Sequence, residues 1–430
     1  MILQAASDVL RLRRTEGWLV GGTVRDRELG RYSPDVDMVV ADDAATVAAD
    51  IAAGLRAPWF ALSERHGAYR VVGREGHVDV STLRGRDIVD DLARRDFTVN
   101  AMALPVEGGE LVDPFDGLAH LREGRLVPVS ERIFWDDPLR LMRAPRFVHV
   151  LGLRLDASLT GAVKGQAGLL ARAAVERVAT EMILTLAAGR AADAVRLWDD
   201  LGLLEVVLPE VAAQKDLGPI LAVLERLDDL LVRPADWFPA TAGLLVDRLA
   251  RPIDGAVGRP VALRLAGLLH RLTATEAEAV ASRLKLSGRM VSLVRTVAGH
   301  LSGGRTLPAS AIGRPAVLFM WEAAPWEPEV ILLAAARGAG QGEEYNVSAT
   351  SAVLDAARSL LALWADRLLH GIPRVPLDGD LLMRELGIEG GPLLGRLLRE
   401  LRLAWEAGEA SSRDGLLAVA KAARAVLATE

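Results

Sequence analysis

The chain has 430 residues, of which 51% are hydrophobic and 25% are charged. This length exceeds one ordinary core, so two to four modules are expected, and the apolar content excludes disorder as the default state. The net charge of −6 argues weakly against bulk nonspecific binding to nucleic acid, although a local stripe of arginines could still contact a phosphate backbone.

The lack of cysteine excludes disulfides, thiolate nucleophiles and zinc sites with cysteine ligands. Carboxylates, histidines and hydroxyls must therefore carry any chemistry, and the spacing of the seven histidines predicts no zinc site. The sequence contains no run of about eighteen uncharged apolar residues. Residues 1–14 carry Asp8 and three arginines instead of a signal-peptide core. We therefore expect a cytoplasmic protein with no membrane partner.

Residues 18–118 alternate short β-rich segments with turns and helical stretches, which predicts a mixed α/β module. From about Asp136 onward, leucine and alanine recur at three and four spacing, which predicts an α-helical remainder. The predicted strands are 18–22, 35–40, 69–72 and 77–82. The clearest predicted helices are 191–204, 219–232 and 354–369. Gly/Pro-rich joints are predicted at 251–260, 302–315, 338–346 and 370–380.

The first chemistry-bearing segment reads as a strand, a Gly21-Gly22 turn and a helix that begins near Thr23. Glycines before a helix N-terminus let backbone N–H groups approach a phosphate closely, and Arg25 would add positive charge there. Asp35 and Asp37 follow on the next predicted strand, where residues i and i+2 share a face. Such a pair could hold magnesium ions, although a polar strand start with exposed aspartates is the ordinary alternative.

Four segments in this order resemble successive motifs of the class II tRNA nucleotidyltransferase and bacterial poly(A) polymerase family. They are residues 19–26 (LVGGTVRD), 35–37 (DVD), 94–103 (RRDFTVNAMA) and 137–147 (DPLRLMRAPRF). The resemblance implies an α/β nucleotidyltransferase head of the polymerase beta-like type, followed by an elongated, all-α neck, body and tail. We expect a catalytic head at 1–118, a neck with a nucleotide-templating helix at 119–205, a degenerate HD-like body at 206–310 and a tRNA-binding tail at 311–430.

In the reaction that this resemblance implies, Asp35 and Asp37 hold two magnesium ions. One ion activates the RNA 3′-hydroxyl and the other neutralises the triphosphate and the departing pyrophosphate. Asp79, on the neighbouring predicted strand, stands where the family often has an acidic residue. Its role as a third ligand or as an exposed strand residue stays open at this point.

The Arg-Arg-Asp-Phe segment supplies Arg95, Asp96 and Asn100 as candidates for contacts with ribose hydroxyls and phosphates. Phe97 and Val99 are expected to anchor the segment in the core. The resemblance implies that this motif distinguishes ribose from deoxyribose. The alternative is a charged junction between a strand and a helix.

Between Trp135 and Val148, helical spacing predicts one face that carries four charged residues at steps of three: Asp137, Arg140, Arg143 and Arg146. An aspartate can accept from the exocyclic amine of cytosine or adenine while an arginine donates to the adjacent ring acceptor, so side chains could template C and A. The resemblance makes Asp137 and Arg140 the reading pair and assigns the other two arginines to phosphates. The alternative is a salt-bridged surface helix.

One departure from the family pattern precedes the reading aspartate, where the family commonly has glutamate and this chain has Asp136. The shorter carboxylate puts the strength of base selection in doubt, but not the reaction. Residues 175–182 resemble the next helical motif of the family and are interpreted as a structural support for the templating helix.

The interval from Val80 to Ala93 is short for the family and resembles enzymes that add only CC, so this narrower activity is favoured over full CCA addition. Residues 377–396 are similar to the tail of the bacterial tRNA enzymes. The alternative is that this segment contains only ordinary helix caps and turns, which would give the same sequence pattern. In the HD-like segment, Arg271 replaces the aspartate that would bind metal beside His270, so a hydrolase site is not expected. His66 could contact RNA or fill a turn.

The expected partners are tRNA, with CTP and ATP as substrates, and no DNA. Two alternatives remain open. One is a poly(A) polymerase, which would add A repeatedly to many RNAs. The other is a catalytically silent RNA-binding homologue, against which the presence of both Asp35 and Asp37 argues.

Overall fold

The structure is a computed structural model that describes residues 2–255, 257–338 and 347–427. The chain divides into two compact units. The first comprises Met1–Glu181 and Asp200–Val207, and the second comprises Met182–Asp199 and Leu208–Glu430. Of the joint predicted at 338–346, all but Gly338 lies outside the described residues.

A six-stranded sheet with the order β3-β4-β5-β2-β1-β6 forms the centre of the first unit. Its strands are β1 (Gly17–Val20), β2 (Val36–Val40), β3 (Trp59–Ser63), β4 (Ala68–Val72), β5 (His77–Thr82) and β6 (Ala103–Pro105). Strands β2 and β5 pair in parallel, and the other neighbours pair antiparallel. A short parallel pair follows, formed by β7 (Arg125–Leu126) and β8 (Arg154–Leu155).

The remaining described elements are mainly helical. Up to residue 207 the α-helices are α1 (Ile2–Arg13), α2 (Gly22–Glu28), α3 (Ala44–Leu55), α4 (Ile88–Leu92), α5 (Gly117–Arg122), α6 (Ile133–Asp136), α7 (Arg140–Leu151), α8 (Ala157–Gln166), α9 (Val175–Ala187), α10 (Ala191–Asp200) and α11 (Leu203–Val207). Beyond residue 207 they are α12 (Pro209–Ala212), α13 (Gly218–Val232), α14 (Pro234–Trp237), α15 (Ala242–Ala250), α16 (Arg259–Leu269), α17 (Ala274–Arg283), α18 (Gly288–Leu301), α19 (Arg314–Ala323), α20 (Glu327–Gly338), α21 (Val347–His370), α22 (Gly379–Leu386), α23 (Pro392–Glu406) and α24 (Arg413–Leu427).

One face of the sheet packs against α4. Trp18, Val20 and Val39 are buried in the same cluster as Ile88 and Leu92 of α4. Because side chains two residues apart on a strand share a face, the residue two positions before Val39 lies at the border of this core. That residue is Asp37. The packing of Val39 against α4 therefore fixes the position of the Asp37 carboxylate at the border of the core.

The predicted α/β head and helical remainder are confirmed, as are the four predicted strands. Four strands were not predicted: the two-residue strands β7 and β8, and strands β3 and β6 of the sheet. Strand β3 lies at the edge of the sheet with Trp59 and Phe60 exposed, so it lacks the alternation of buried and exposed residues by which strands are recognised. Strand β6 has only three residues.

The second unit is built from amphipathic helices around its own buried residues. Its buried charges are paired: Glu329 on α20 is 1% exposed and accepts from the guanidinium groups of Arg248 and Arg259. His270 follows α16, is 3% exposed, and its ring Nδ1 lies 2.6 Å from the carbonyl oxygen of Gly267. In the described ranges, none of the helices combines the length and the apolar character that crossing a membrane requires.

Candidate nucleotide-binding site

A cavity of about 480 Å³ in the first unit gathers residues from distant parts of the sequence. Every predicted site residue except Asp35 lines it. The lining comprises Gly21, Gly22, Arg25, Asp37, Ser81, Arg84, Asp91, Arg94, Arg95, Asp96, Asn100, Asp137, Arg140, Arg143, Arg146 and Phe147.

The turn between β1 and α2 forms one wall of the cavity. Gly21 has φ of 62° and ψ of −129°, a positive-φ conformation outside the left-handed helical region that glycine adopts without steric cost. A Cβ atom at this position would lie 3.0 Å from Nη1 of Arg95 and 3.6 Å from Oδ2 of Asp37. The turn therefore needs glycine both for its conformation and for the close approach of these two side chains.

Asp37 is accessible from the cavity, but the surrounding protein removes much of the bulk water around it. Burial raises the pKa of Asp37, and the carboxylate of Asp79 raises it further. These two residues are register partners on the parallel strands β2 and β5, so their side chains share a face of the sheet. The backbone N–H of Asp37 donates to the Thr23 hydroxyl at 2.7 Å, which ties β2 to α2.

Asp35 differs from the expectation that both aspartates lie on one strand. Strand β2 begins at Val36, so Asp35 precedes it, and its side chain is 52% exposed. One carboxylate oxygen of Asp35 lies 2.7 Å from Nδ1 of His77. The parallel pairing begins only at Val36 and Val78, and Asp35 lies before this first register pair.

Asp79 is engaged by a neighbouring strand residue. Arg70 on β4 donates to both of its carboxylate oxygens at 2.7 Å, so Asp79 is held by a forked ion pair. Among residues 2–255, 257–338 and 347–427, His, Cys, Asp and Glu side chains form no group of three or more arranged to hold a metal ion. Asp35 and Asp37 nevertheless supply the oxygen ligands that magnesium prefers. A cation beside Asp37 would also offset the repulsion from Asp79.

The segment from Arg94 to Asn100 forms a buried polar network. Asp96 is 4% exposed, and its Oδ1 accepts from the Phe97 backbone N–H at 2.7 Å and from Asn100 Nδ2 at 3.1 Å. Its Oδ2 lies 3.0 Å from Arg143 Nη2. Asn100 Oδ1 in turn accepts from Arg25 at 2.7 Å. Asp96 and Asn100 thus orient two arginines in the cavity wall.

The predicted anchors of this segment are confirmed, because Phe97 and Val99 are fully buried. Phe97 packs edge-on against Phe147 with ring centroids 5.7 Å apart. The guanidinium carbons of the three arginines around the Phe147 ring lie 4.5 to 5.6 Å from its centroid: Arg25, Arg143 and Arg146. This aromatic ring gathers positive charge at one side of the cavity.

The predicted continuous templating helix is wrong. Helix α6 ends at Asp136 and α7 begins at Arg140, with Asp137 in an extended conformation between them (φ −146°, ψ 101°). Asp137 precedes Pro138, whose ring disfavours helical dihedrals in the residue before it. Asp137 still lines the cavity together with Arg140, but through a bend in the chain instead of a shared helix face.

The predicted reading pair is held by other partners. Arg177 on α9 donates to both oxygens of Asp137, at 2.9 and 3.4 Å. Arg140 donates to the carbonyl oxygen of Arg94 at 2.6 Å, not to Asp136, which is exposed. Burial lowers the pKa of Arg140, as expected for a guanidinium drawn into the cavity wall.

Two remaining arginines are also tied to carboxylates. Arg146 donates to Glu181 on α9 at 2.5 Å, and burial lowers the pKa of Arg146. Arg95 donates to Asp91 on α4, which is 5% exposed. The helix interpreted as a structural support therefore also supplies partners to the templating segment, through Arg177 and Glu181.

The sequence analysis missed Arg84, Asp91, Arg94 and Arg177. Arg94 and Arg177 carried a signal, since Arg94 lies within the motif at 94–103 and Arg177 within the helical motif at 175–182, which was interpreted only as a support. Arg84 and Asp91 are surrounded by ordinary charged sequence, and their importance arises from what they contact.

Other candidate positions lie in local structure. His66 is exposed at the end of a short 3₁₀ helix, beside a Gly67 turn. Leu377 and Leu382, in the tail segment that resembles the tRNA enzymes, are buried in the hydrophobic cluster of α22, α23 and α24. Gly387 ends α22 in a left-handed conformation.

Comparison with known proteins identifies similar chains. The family model described as the poly A polymerase head domain matches residues 17–127, and the one described as a probable RNA and SrmB-binding site of polymerase A matches residues 152–215. A CC-adding tRNA nucleotidyltransferase of Synechocystis sp. is 30% identical over 421 residues, which cover 96% of this chain and 94% of that protein.

An A-adding tRNA nucleotidyltransferase of Deinococcus radiodurans is 34% identical over 408 residues, covering 91% of this chain and 92% of that protein. Among solved structures, a Thermotoga maritima CCA-adding enzyme complexed with tRNA superposes with a TM-score of 0.62. It is 21% identical, and the match covers 98% of this chain and 94% of that chain. At this identity the structural similarity demonstrates a shared fold.

Proposed function

Because this chain belongs to the family of tRNA nucleotidyltransferases and poly(A) polymerases, we propose that it extends tRNA 3′ ends with nucleotides taken from CTP or ATP. The observation that carries this proposal is the cavity that joins the Gly21-Gly22 turn, Asp37, the Asp96 network and the Asp137 bend. Relatives with tRNA-extending activity match over nearly the whole chain, which favours tRNA as the acceptor.

The reaction requires divalent metal, and Asp35 and Asp37 are the residues that would hold it. Magnesium, when bound, supplies the charge that activates the attacking 3′-hydroxyl and neutralises the departing pyrophosphate. Asp35 lies outside the cavity lining, so we propose that its carboxylate leaves His77 when metal and substrate bind. Asp79 keeps its forked contact with Arg70 and does not act as a ligand.

The incoming nucleotide is positioned by groups on opposite walls. The Gly21-Gly22 turn and Arg25 face the triphosphate, and Arg143 and Arg146 add charge from the side of Phe147. Asp137 and Arg140 read the base edge, since a carboxylate accepts from the amine of C or A but faces a carbonyl in U or G.

We propose CC addition as the specific activity. The interval from Val80 to Ala93 comprises the end of β5, five residues of turn and α4, which leaves no room for a long loop. Addition of the terminal A is the second candidate, because the Deinococcus radiodurans relative is named an A-adding enzyme. Poly(A) synthesis is less favoured, since these near-full-length relatives are named for tRNA.

The test uses the purified protein with magnesium and three tRNA transcripts that end before the CCA, after C and after CC. CTP, ATP or both are supplied, and products are resolved at single-nucleotide length. CC addition predicts two additions from CTP and none of A to the CC-ended transcript. Addition of A alone to that transcript would support the second candidate, and complete CCA synthesis would refute the argument from the short interval.

The same assay tests the metal assignment. Asp35→Ala and Asp37→Ala are expected to abolish transfer while thermal unfolding changes little, because neither carboxylate belongs to a hydrophobic core. Retained transfer in both variants would refute the assignment. Extension of unrelated RNAs by many A residues would indicate a poly(A) polymerase instead.

A further inference from the structure

Seven arginines line the cavity, and they fall into two classes. Five form an ion pair with, or donate a hydrogen bond to, an oxygen of the protein: Arg25, Arg95, Arg140, Arg143 and Arg146. The other two, Arg84 and Arg94, are exposed. Within the described parts of the chain, neither of these two guanidinium groups forms an ion pair or donates a hydrogen bond.

The backbones of these two residues are nevertheless fixed by one buried carboxylate residue. The N–H of Arg84 donates to Asp91 Oδ1 at 3.2 Å, and the N–H of Arg94 donates to the Asp91 carbonyl oxygen at 3.1 Å. The N–H of Leu83 donates to Val40 at 2.9 Å, so the turn that carries Arg84 continues the pairing of β5 with β2. Two cationic side chains that lack an ion pair or hydrogen bond in the described ranges are therefore attached to rigidly placed backbone.

We propose that Arg84 and Arg94 bind the terminal phosphodiester of the RNA whose 3′ end is extended, an inference that rests on the proposed function. Arginine suits this task because its planar guanidinium forms paired, charge-assisted hydrogen bonds with phosphate oxygens. A phosphate contact fixes the register of the strand without reading its sequence. Such a contact places the 3′-hydroxyl in the cavity, where the incoming nucleotide lies.

The position and exposure of Arg84 and Arg94 favour the RNA, and not the incoming nucleotide, as the ligand of these two side chains. The proposed function already assigns the triphosphate to the Gly21-Gly22 turn and to Arg25, which Asn100 holds in the cavity wall. The RNA must enter from solvent, and Arg84 and Arg94 combine exposure to solvent with a place in the cavity lining. Arg94 also accepts the Arg140 guanidinium through its carbonyl oxygen at 2.6 Å, which links the phosphate contact to the base-reading side of the cavity.

The matched control is Arg86. It lies two residues from Arg84 and its side chain is 88% exposed, but it pairs with Asp90 and does not line the cavity. Arg84→Ala, Arg94→Ala and Arg86→Ala each remove one positive charge from neighbouring positions. A general loss of electrostatic attraction would affect all three variants alike.

The experiment measures direct binding of the tRNA transcript lacking CCA over a range of salt, together with the KM for CTP. Arg84→Ala and Arg94→Ala are each expected to raise the tRNA Kd about tenfold at low salt. Each should also reduce the slope of log Kd against log salt by about 0.7, as for one lost phosphate contact on a single strand. The KM for CTP and all values for Arg86→Ala should stay close to those of the parent.

Two results would overturn the inference: an unchanged tRNA Kd in both variants, or an equal loss of tRNA binding in Arg86→Ala. An unchanged tRNA Kd together with a raised KM for CTP would assign these arginines to the nucleotide phosphates. Failure of the parent to extend any RNA would refute the proposed function separately. Arg84→Lys, which keeps the charge but loses the fork, should restore the salt slope but only part of the affinity.

Discussion

Acidification should destabilise the second unit through His270. This residue is 3% exposed, and its Nδ1 lies 2.6 Å from the Gly267 carbonyl oxygen. Burial lowers the pKa of His270 to about 4, and the positive charges of Arg337 and Arg271 act in the same direction. The folded unit therefore keeps the ring neutral at pH values where the unfolded chain protonates it.

The sign and size of the effect follow from this difference in pKa. The unfolded ring takes up a proton near its ordinary pKa of 6.5, while the folded ring does so only near 4. The contribution of neutral His270 to the free energy of unfolding is thus fully present above pH 6.5 and is lost as the pH falls from 6.5 towards 4. At about 1.4 kcal/mol for each unit of pKa difference, the loss reaches about 3 kcal/mol.

The measurement compares the parent with His270→Gln, whose amide can still donate to the Gly267 carbonyl but does not titrate. Urea unfolding is followed from about pH 7.5 to about pH 4.5 by hydrogen exchange of amides in α16 and α18, so that the second unit is observed by itself. The free energy of unfolding should fall more steeply with acid in the parent. Parallel pH profiles of the two proteins would refute the burial argument.

Two further predictions concern the cavity. Arg177→Ala should lower the discrimination of CTP against UTP about fivefold or more by releasing Asp137, but change the free energy of unfolding by less than about 1 kcal/mol, since the pair is partly exposed. Arg172→Ala, which removes the guanidinium contact with the exposed Trp135 ring, should keep full discrimination, and equal behaviour of both variants would contradict the role of Arg177. Gly21→Ala should cost about 1 to 3 kcal/mol of stability and raise the KM for CTP, because a Cβ there meets both a positive φ and Arg95. Gly30 also has a positive φ but open space around its Cβ, so an equal rise in the KM of Gly30→Ala would show that the contact with Arg95 is not responsible.

The bend at Asp137 was within reach of the sequence, because the proline that follows is visible there. Spacing alone predicted one helix face over the whole templating segment, but a residue before proline avoids helical dihedrals. Local steric preference overrides helical periodicity at this point. The predicted residues still converge, since α7 begins again within three residues.

Asp37 lies in strand β2 but Asp35 does not, and the spacing of the two aspartates in the sequence could not show this difference. A period of two predicts a shared face only while the chain remains a strand, and β2 begins at Val36. The parallel partner β5 starts with His77, whose ring takes the Asp35 carboxylate. The neighbour across the sheet decides this contact, and it comes from a segment more than forty residues away.

The sequence by itself determined the fold class, the glycine turn and eleven of the sixteen residues that line the cavity, because these depend on local rules of backbone conformation, periodicity and motif order. Only the tertiary structure decided which acceptor holds each arginine. Asp91 anchors Arg95, Asp96 holds Arg143, and Arg177 holds Asp137. Such pairings depend on how helices and strands pack at long range, and they leave Arg84 and Arg94 unpaired among the described residues for a physical reason that local sequence does not contain.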